Sequence, residues 1–194
     1  MTKLMEFKKT LKESGINTAI FFGSDSSIKY FTSFDGFACL IIPIKKSPKL
    51  FVPALEYTRA KETSKIKPIR WEKDIYEDIK KIVKKSQIGL NKEEISANQY
   101  KRIKKQLLKN KIKDISEIML KLRETKTKEE INNLTIACKK TDEIIKDAIN
   151  QLKSNKLKTE TGVAAFLISE TIKKGLEIAF DPIIASGENS VHPH

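Results

Sequence analysis

Long apolar runs are missing from this 194-residue chain. No stretch approaches the roughly 18 consecutive apolar residues that a membrane-spanning helix needs. The segment Met1–Leu11 mixes Lys and Glu into its apolar positions, which is unlike a secretory signal. The sequence therefore predicts no membrane segment, and we expect a cytoplasmic protein.

Cysteine is scarce, because Cys39 and Cys138 are the only two in the chain. They lie far apart, form no Cys-x-x-Cys pair, and each sits among apolar neighbours in a predicted strand or helix. This pattern argues against a disulfide scaffold. We predict two buried free thiols in a reducing compartment.

Arginine contributes only four of the 38 basic residues, although the formal net charge is +13. The lysines are spread among glutamates, with no arginine-rich stripe, interleaved aromatics or phosphate-binding glycine loop. A solvated, lysine-rich surface explains this charge. Nucleic-acid binding is the less favoured alternative, and it predicts association with DNA or RNA that weakens steeply as salt is added.

Familiar catalytic motifs are also missing. The chain contains no His-Glu-x-x-His, no Gly-x-Ser-x-Gly, no Walker loop and no Cys-Cys-His cluster. What is present is the composition of a folded globular protein, at 39% apolar and 32% charged. Disorder is therefore not expected.

Strands alternate with helices along residues 1–122. Helical spacing marks a first helix that ends near Gly15, and further helices after Pro53, from Asp74 and from Ser96, where Gln99 completes capping-box spacing. Short apolar runs between turn residues predict strands at Thr18–Phe22, Phe37–Ile44, Leu50–Val52, Ile88–Leu90 and Ile112–Ile115. This alternation predicts a layered α/β domain, because the helices must cover the apolar faces of the sheet.

A second unit is predicted over residues 123–194. Thr127 and Glu130 form a capping box ahead of a long helix, and Thr159 can cap another. The predicted apolar face of the long helix comprises Ile131, Leu134, Cys138, Ile145, Ile149 and Leu152. The segment from Ala179 reads as a strand followed by a glycine turn. Two helices and one strand cannot cover their own apolar faces, so we expect this unit to be part of a larger one.

Three segments together resemble one peptidase family. They are Tyr30-Phe31-Thr32-Ser33-Phe34, the junction Leu122-Arg123 to Glu130-Ile131, and Phe180-Asp181-Pro182-Ile183-Ile184-Ala185-Ser186-Gly187 through Pro193-His194. They are similar to the creatinase, prolidase and Xaa-Pro aminopeptidase family. The resemblance covers essentially the whole chain. It implies a mixed sheet flanked by helices, followed by an incomplete α+β catalytic domain of the pita-bread fold.

Ser33 is a departure from the family pattern, because glycine usually stands at this position. Serine occupies many turns that do not need a positive φ. We therefore expect an ordinary turn at Ser33.

The resemblance also implies site residues. His194 matches a histidine that binds substrate and stabilises the tetrahedral intermediate by offering a proton or hydrogen bond. Phe180 would lie near the apolar substrate pocket. The alternative is that His192 and His194 are two exposed histidines at a terminus, and for His192 we favour that reading. We assign no catalytic role to Asp181 or Glu188, which are typical turn and surface residues.

Metal ions are implied for the longer relatives but not for this chain. The family binds two divalent ions, manganese, cobalt or similar, through two aspartates, one histidine and two glutamates that follow the position of His194. The sequence therefore offers no metal ligands of this set, and we expect the chain alone to bind no such ions and to be inactive.

The function predicted from this resemblance is hydrolysis of the peptide bond before proline, by an Xaa-Pro dipeptidase or aminopeptidase using two metal ions. The implied partners are short Xaa-Pro peptides and a second copy of the chain in a homodimer. Creatine-type or other C–N substrates are also compatible with the family. The alternative is a non-catalytic relative that serves as a dimerisation or interaction module.

Overall fold

A sheet of six strands is the centre of the first 125 residues in the computed structural model, which describes residues 2–71, 74–84 and 86–191. The strand order is β4-β3-β2-β1-β5-β6. All five strands predicted for residues 1–122 are confirmed. The strands are β1 (Thr18–Gly23), β2 (Ala38–Pro43), β3 (Lys49–Pro53), β4 (Pro68–Trp71), β5 (Gln87–Leu90) and β6 (Lys111–Asp114).

The sheet is mixed. The pairs β1–β2 and β2–β3 are antiparallel, whereas β3–β4, β1–β5 and β5–β6 are parallel. The register of the central pair places Phe21 opposite Leu40, and Ile20 opposite Ile41. Both faces of this pair are buried, so β1 and β2 are continuously apolar rather than alternating.

Helices cover both faces of the sheet, which confirms the predicted α/β fold class. Side chains alternate along a strand, so Ala19 and Phe21 of β1 enter one core while Ile20 and Phe22 enter the other. The first core is covered by α1, α2, α3 and α6, and the second by α4 and α5. These helices are α1 (Lys3–Glu13), α2 (Ser26–Thr32), α3 (Tyr57–Thr63), α4 (Ile75–Val83), α5 (Ala97–Gln106) and α6 (Ser116–Glu124).

Aromatic packing is prominent in the first core. The rings of Phe7, Phe21 and Phe31 lie 5.0 to 6.0 Å apart, centroid to centroid. Phe7 and Phe21 are almost fully buried. Burying a phenylalanine contributes roughly 1.5–3 kcal/mol, so this cluster is a main source of stability for α1 against the sheet.

Three elements of the first unit, β4, α2 and α6, were not predicted. The strand β4 begins at a proline and carries an exposed Arg70, yet it pairs with β3 along its whole length. The helix α2 occupies the family-like segment interpreted as a turn, with Asp25 capping it through the Ser27 amide at 2.8 Å.

The turn after α2 corrects the prediction for Ser33. This residue closes the helix with φ +65°, in the left-handed region that favours glycine. The following loop is tightly packed, because a Cβ on Gly36 would lie 2.3 Å from the ring of Phe34 and 2.4 Å from the guanidinium of Arg59. Arg59 donates to Asp35 at 2.6 Å and lies over the Phe34 ring.

The second compact unit is Lys126–His194, and the first is Met1–Thr125. It contains α7 (Lys128–Lys153), α8 (Glu160–Lys173) and a 3₁₀ helix (Gly187–Val191). The predicted capping box is confirmed, since the Glu130 amide donates to Thr127 Oγ1 at 3.2 Å and the Thr127 amide to Glu130 Oε2 at 2.7 Å. Thr159 caps α8, also as predicted.

Three predictions for the second unit are wrong. The expected strand from Ala179 does not form, because residues 181–186 join none of the six strands of the described chain. The predicted apolar face of α7 is exposed, and Ile144 and Ala148 are buried instead. Cys138 is exposed with that face, whereas Cys39 is buried as predicted. Within this unit α7 packs on the shorter α8, which covers only part of its length.

No helix within the described ranges has both the length and the apolar character that crossing a bilayer requires.

Candidate functional site

Phe180 is the sequence-predicted site residue within the described ranges. Its side chain is 75% exposed. His194 lies outside the described residues. The roles of Phe180 and His194 in substrate binding stay predictions.

A single carboxylate, that of Glu160, contacts the segment from Phe180 to Val191 at two residues. The amide and hydroxyl of Ser186 both donate to Oε1, the hydroxyl at 2.9 Å. Asn189 Nδ2 donates to Oε2 at 2.8 Å. These hydrogen bonds, those from Ser186 being the largest influence, lower the pKa of Glu160 below its ordinary value. One glutamate in the first turn of α8 therefore binds a turn 26 to 29 residues further along the chain.

The bound turn has hydrogen bonds of its own. The Asn189 amide donates to the Ser186 carbonyl at 3.2 Å, and Ser190 Oγ donates to the Gly187 carbonyl at 2.6 Å. Gly187 has φ +52°, which glycine adopts at little cost. Residues 186–190 thus form a closed turn immediately before Val191, and we call it the Ser186 turn.

A metal site of the family type does not fit the described residues. In the ranges 2–71, 74–84 and 86–191, no group of three or more His, Cys, Asp or Glu side chains is arranged to hold an ion. Structural and catalytic sites need at least three such ligands. We derive no step of chemistry through a metal from these residues.

The first unit contains a separate cleft of about 280 Å³ at the carboxyl end of β1. Phe37 and Trp71 stack in its wall with ring centroids 6.2 Å apart. Gln99 Nε2 donates to the Tyr76 hydroxyl at 3.0 Å, and burial raises the pKa of Tyr76. Arg102 also lines the cleft. Its residues come from distant parts of the sequence, which is why sequence reasoning missed it.

Several polar side chains also lie close together at the carboxyl end of β1. Asp25 is only 6% exposed, and burial raises its pKa although the hydrogen bond from the Ser27 amide lowers it in part. Ser26 Oγ donates to Glu94 at 3.1 Å and accepts from Arg123 at 2.8 Å. These contacts connect the start of α2 to Glu94, which follows β5, and to Arg123 of α6.

The contacts of Glu160 were not predicted from the sequence. A glutamate beside the N-cap Thr159 is common in any helix, where it interacts with the macrodipole. Nothing local signals a partner further along the chain. The available sequence signal was that Glu160, in the first turn of a helix, and the segment Ser186-Gly187-Glu188-Asn189 both occur in the second unit.

A mixed six-stranded sheet between two helical layers, followed by a unit of two helices, is an architecture shared with proline-directed peptidases. Over 98% of this chain, the fold matches the prolidase from Pyrococcus furiosus with a TM-score of 0.84 at 30% identity, spanning 59% of that protein. An X-Pro aminopeptidase from Thermotoga maritima matches 100% of the chain and 56% of its own, with a TM-score of 0.85 at 25% identity.

The chain belongs to the Creatinase/Prolidase N-terminal domain family, whose model matches residues 3–125. The Xaa-Pro dipeptidase of Pyrococcus furiosus is 31% identical over 195 residues, which is 99% of this chain and 54% of the relative. The chain therefore spans about half the length of the curated relatives it matches. The family resemblance drawn from the sequence is confirmed.

Proposed function

We propose that this protein is an Xaa-Pro dipeptidase-like peptidase that hydrolyses the peptide bond preceding proline. The observation that carries the proposal is the 31% identity to an Xaa-Pro dipeptidase across 99% of the chain. That similarity extends beyond the N-terminal domain, whose family model matches residues 3–125. The substrates proposed are short Xaa-Pro peptides.

In this proposal His194 donates a proton or hydrogen bond to the peptide group during hydrolysis. An imidazole with an ordinary pKa of about 6.5 can donate a proton or hydrogen bond near neutral pH. Negative charge develops on the carbonyl oxygen as the peptide carbon becomes tetrahedral, and a donor placed there stabilises it. Phe180 contributes an apolar surface suited to a proline ring. The two divalent ions of the family, manganese or cobalt, are proposed to bind to ligands outside the described residues.

A homodimer is the proposed assembly. Family resemblance implies a dimer in which the N-terminal domain narrows access to the active site and restricts it to short peptides. Light scattering of the purified protein measures the mass directly, and a species of twice 22.1 kDa is expected.

Hydrolysis of an Xaa-Pro dipeptide in the presence of Mn²⁺ tests the function in a protein that also carries the metal ligands of the family, because residues 1–194 alone are expected to be inactive. The matched substrate carries alanine in place of proline, and we expect a strong preference for proline. His194→Gln is expected to lower kcat on the order of a hundredfold or more, whereas the control His192→Gln keeps it. A wild-type protein without hydrolysis under these conditions contradicts the proposal and favours the non-catalytic alternative.

A further inference from the structure

We infer that Glu160 is a positioning residue, which fixes the Ser186 turn and so the start of the chain segment that runs on to His194. The role of this turn in catalysis rests on the proposed function. The hydrogen bonds between Glu160 and the turn are observed in the structure and do not depend on that proposal. Family and sequence comparisons assign no role to Glu160.

The segment before the turn has little other support. Residues 181–186 join no strand of the described sheet, and the side chains of Phe180 and Ile183 are 75% and 58% exposed. Pro182 and Ile184 are only half-buried. A segment without ladder hydrogen bonds or a fully buried apolar side chain is expected to open readily. Its contacts to Glu160 are therefore the main restraint that the described residues provide.

Glu160 is suited to this role by its place in α8. Thr159 caps the helix, accepting from the Gly162 amide at 3.1 Å, and so fixes the first turn. A carboxylate at a helix N-terminus is stabilised by the macrodipole. The hydrogen bonds it accepts are charge-assisted, which makes each roughly twice as strong as a neutral one. The first turn of α8 is therefore held in place, and Glu160 in that turn can hold the Ser186 turn.

The chemistry of the contact also defines its partners. Glu160 accepts only, so Asn189 must present its amide nitrogen. Glu160→Gln removes the charge but can keep these hydrogen bonds, because its carbonyl still accepts from Ser186 and a rotated Asn189 amide can accept from its nitrogen. Glu160→Ala removes the acceptor altogether. Asn189→Asp places two carboxylates against each other. The double variant Glu160→Gln with Asn189→Asp exchanges donor and acceptor and restores the hydrogen bond between residues 160 and 189.

Amide hydrogen exchange at Ser186 in the full chain reads out this contact without any enzymatic activity. Glu160→Ala and Asn189→Asp are each expected to accelerate exchange at Ser186 about tenfold or more. The double variant Glu160→Gln with Asn189→Asp is expected to recover most of the loss caused by Asn189→Asp. Glu188→Ala is the matched control, since Glu188 lies in the same turn. Exchange in Glu160→Ala equal to that of Glu188→Ala would overturn the inference.

Kinetics separate this inference from the proposed function. In a wild-type protein that hydrolyses Xaa-Pro dipeptides, Glu160→Ala is expected to lower kcat at least tenfold with a smaller change in KM. The double variant Glu160→Gln with Asn189→Asp is expected to recover the kcat lost in Asn189→Asp. Normal kcat together with accelerated exchange overturns the positioning role. An inactive wild type overturns the proposed function, and with it the catalytic role of Glu160, while the exchange experiment still decides whether the turn depends on Glu160.

Discussion

The amide of Ser33 donates to the carbonyl of Lys29 at 2.8 Å while Ser33 itself has φ +65°. A side chain in the left-handed region crowds the following carbonyl, which costs roughly 1–2 kcal/mol. Glycine avoids that cost but loses more entropy on folding. Ser33→Gly is therefore expected to raise the free energy of unfolding by about 0.5–1 kcal/mol, measured by urea denaturation.

Ser14 provides the matched control for that substitution. It also ends a helix, α1, but with φ −80°, where serine is unstrained. Ser14→Gly is expected to lower the free energy of unfolding by about 0.5 kcal/mol. If both substitutions changed the free energy of unfolding in the same direction, the result would contradict the assignment of left-handed strain to Ser33.

Asp25 is expected to give a pH-dependent contribution to stability. Burial raises the pKa of this carboxyl in the folded protein above its ordinary value. The folded state then holds the proton more tightly than the unfolded state, so the contribution is fully present below about pH 3.9 and is lost as pH rises through the folded pKa. Asp25→Asn keeps a good N-cap for α2. Its stability relative to wild type should therefore increase between about pH 3.5 and about pH 6.5, measured by urea denaturation across that range. If the stability of Asp25→Asn relative to wild type stays constant or decreases as pH rises, the result contradicts the burial of an ionised Asp25.

Thr127 is expected to stabilise α7 through its capping box. Thr127→Ala removes the acceptor of the Glu130 amide and should lower the free energy of unfolding by about 1 kcal/mol, measured by far-UV circular dichroism during denaturation. Thr141→Ala is the control in the same helix, where the hydroxyl donates to the Ala137 carbonyl at 3.0 Å. That hydroxyl competes with the helix backbone, so its removal is expected to be neutral or slightly stabilising. Equal losses in the two variants would refute a special role for the cap.

The two thiols are expected to differ in reactivity. Cys39 is buried, and burial raises the pKa of its thiol, which leaves little reactive thiolate. Cys138 is exposed. A disulfide reagent should therefore label one thiol in the native protein and a second only after denaturation. In Cys138→Ser no native labelling is expected, and rapid native labelling of that variant would show that Cys39 is accessible.

Strong local signals allowed much of the fold to be predicted from sequence. The apolar runs of β1 and β2, and the caps at Ser96, Thr127 and Thr159, each depend on residues within a few positions. At Ser96 only half of the predicted box forms, because the Gln99 side chain bonds to Tyr76 instead.

The remaining features depend on distant partners. The strand β4 exists because β3 pairs with it, although Pro68 and Arg70 give it little strand character. Conversely, the apolar residues from Ala179 form no strand, since no described strand pairs with them. The helical face with Cys138 is apolar in pattern yet exposed, because periodicity indicates which residues share a face and not what covers it.

The stacking of Trp71 on Phe37 has a practical consequence for measuring the folding of this protein. Trp71 is the only tryptophan in the chain, and it belongs to the first unit. Its fluorescence therefore reports on the unfolding of the sheet, whereas far-UV circular dichroism also detects the long helices of the second unit. Coincident transitions by the two probes would show one cooperative unit, and separated transitions would give each half its own stability.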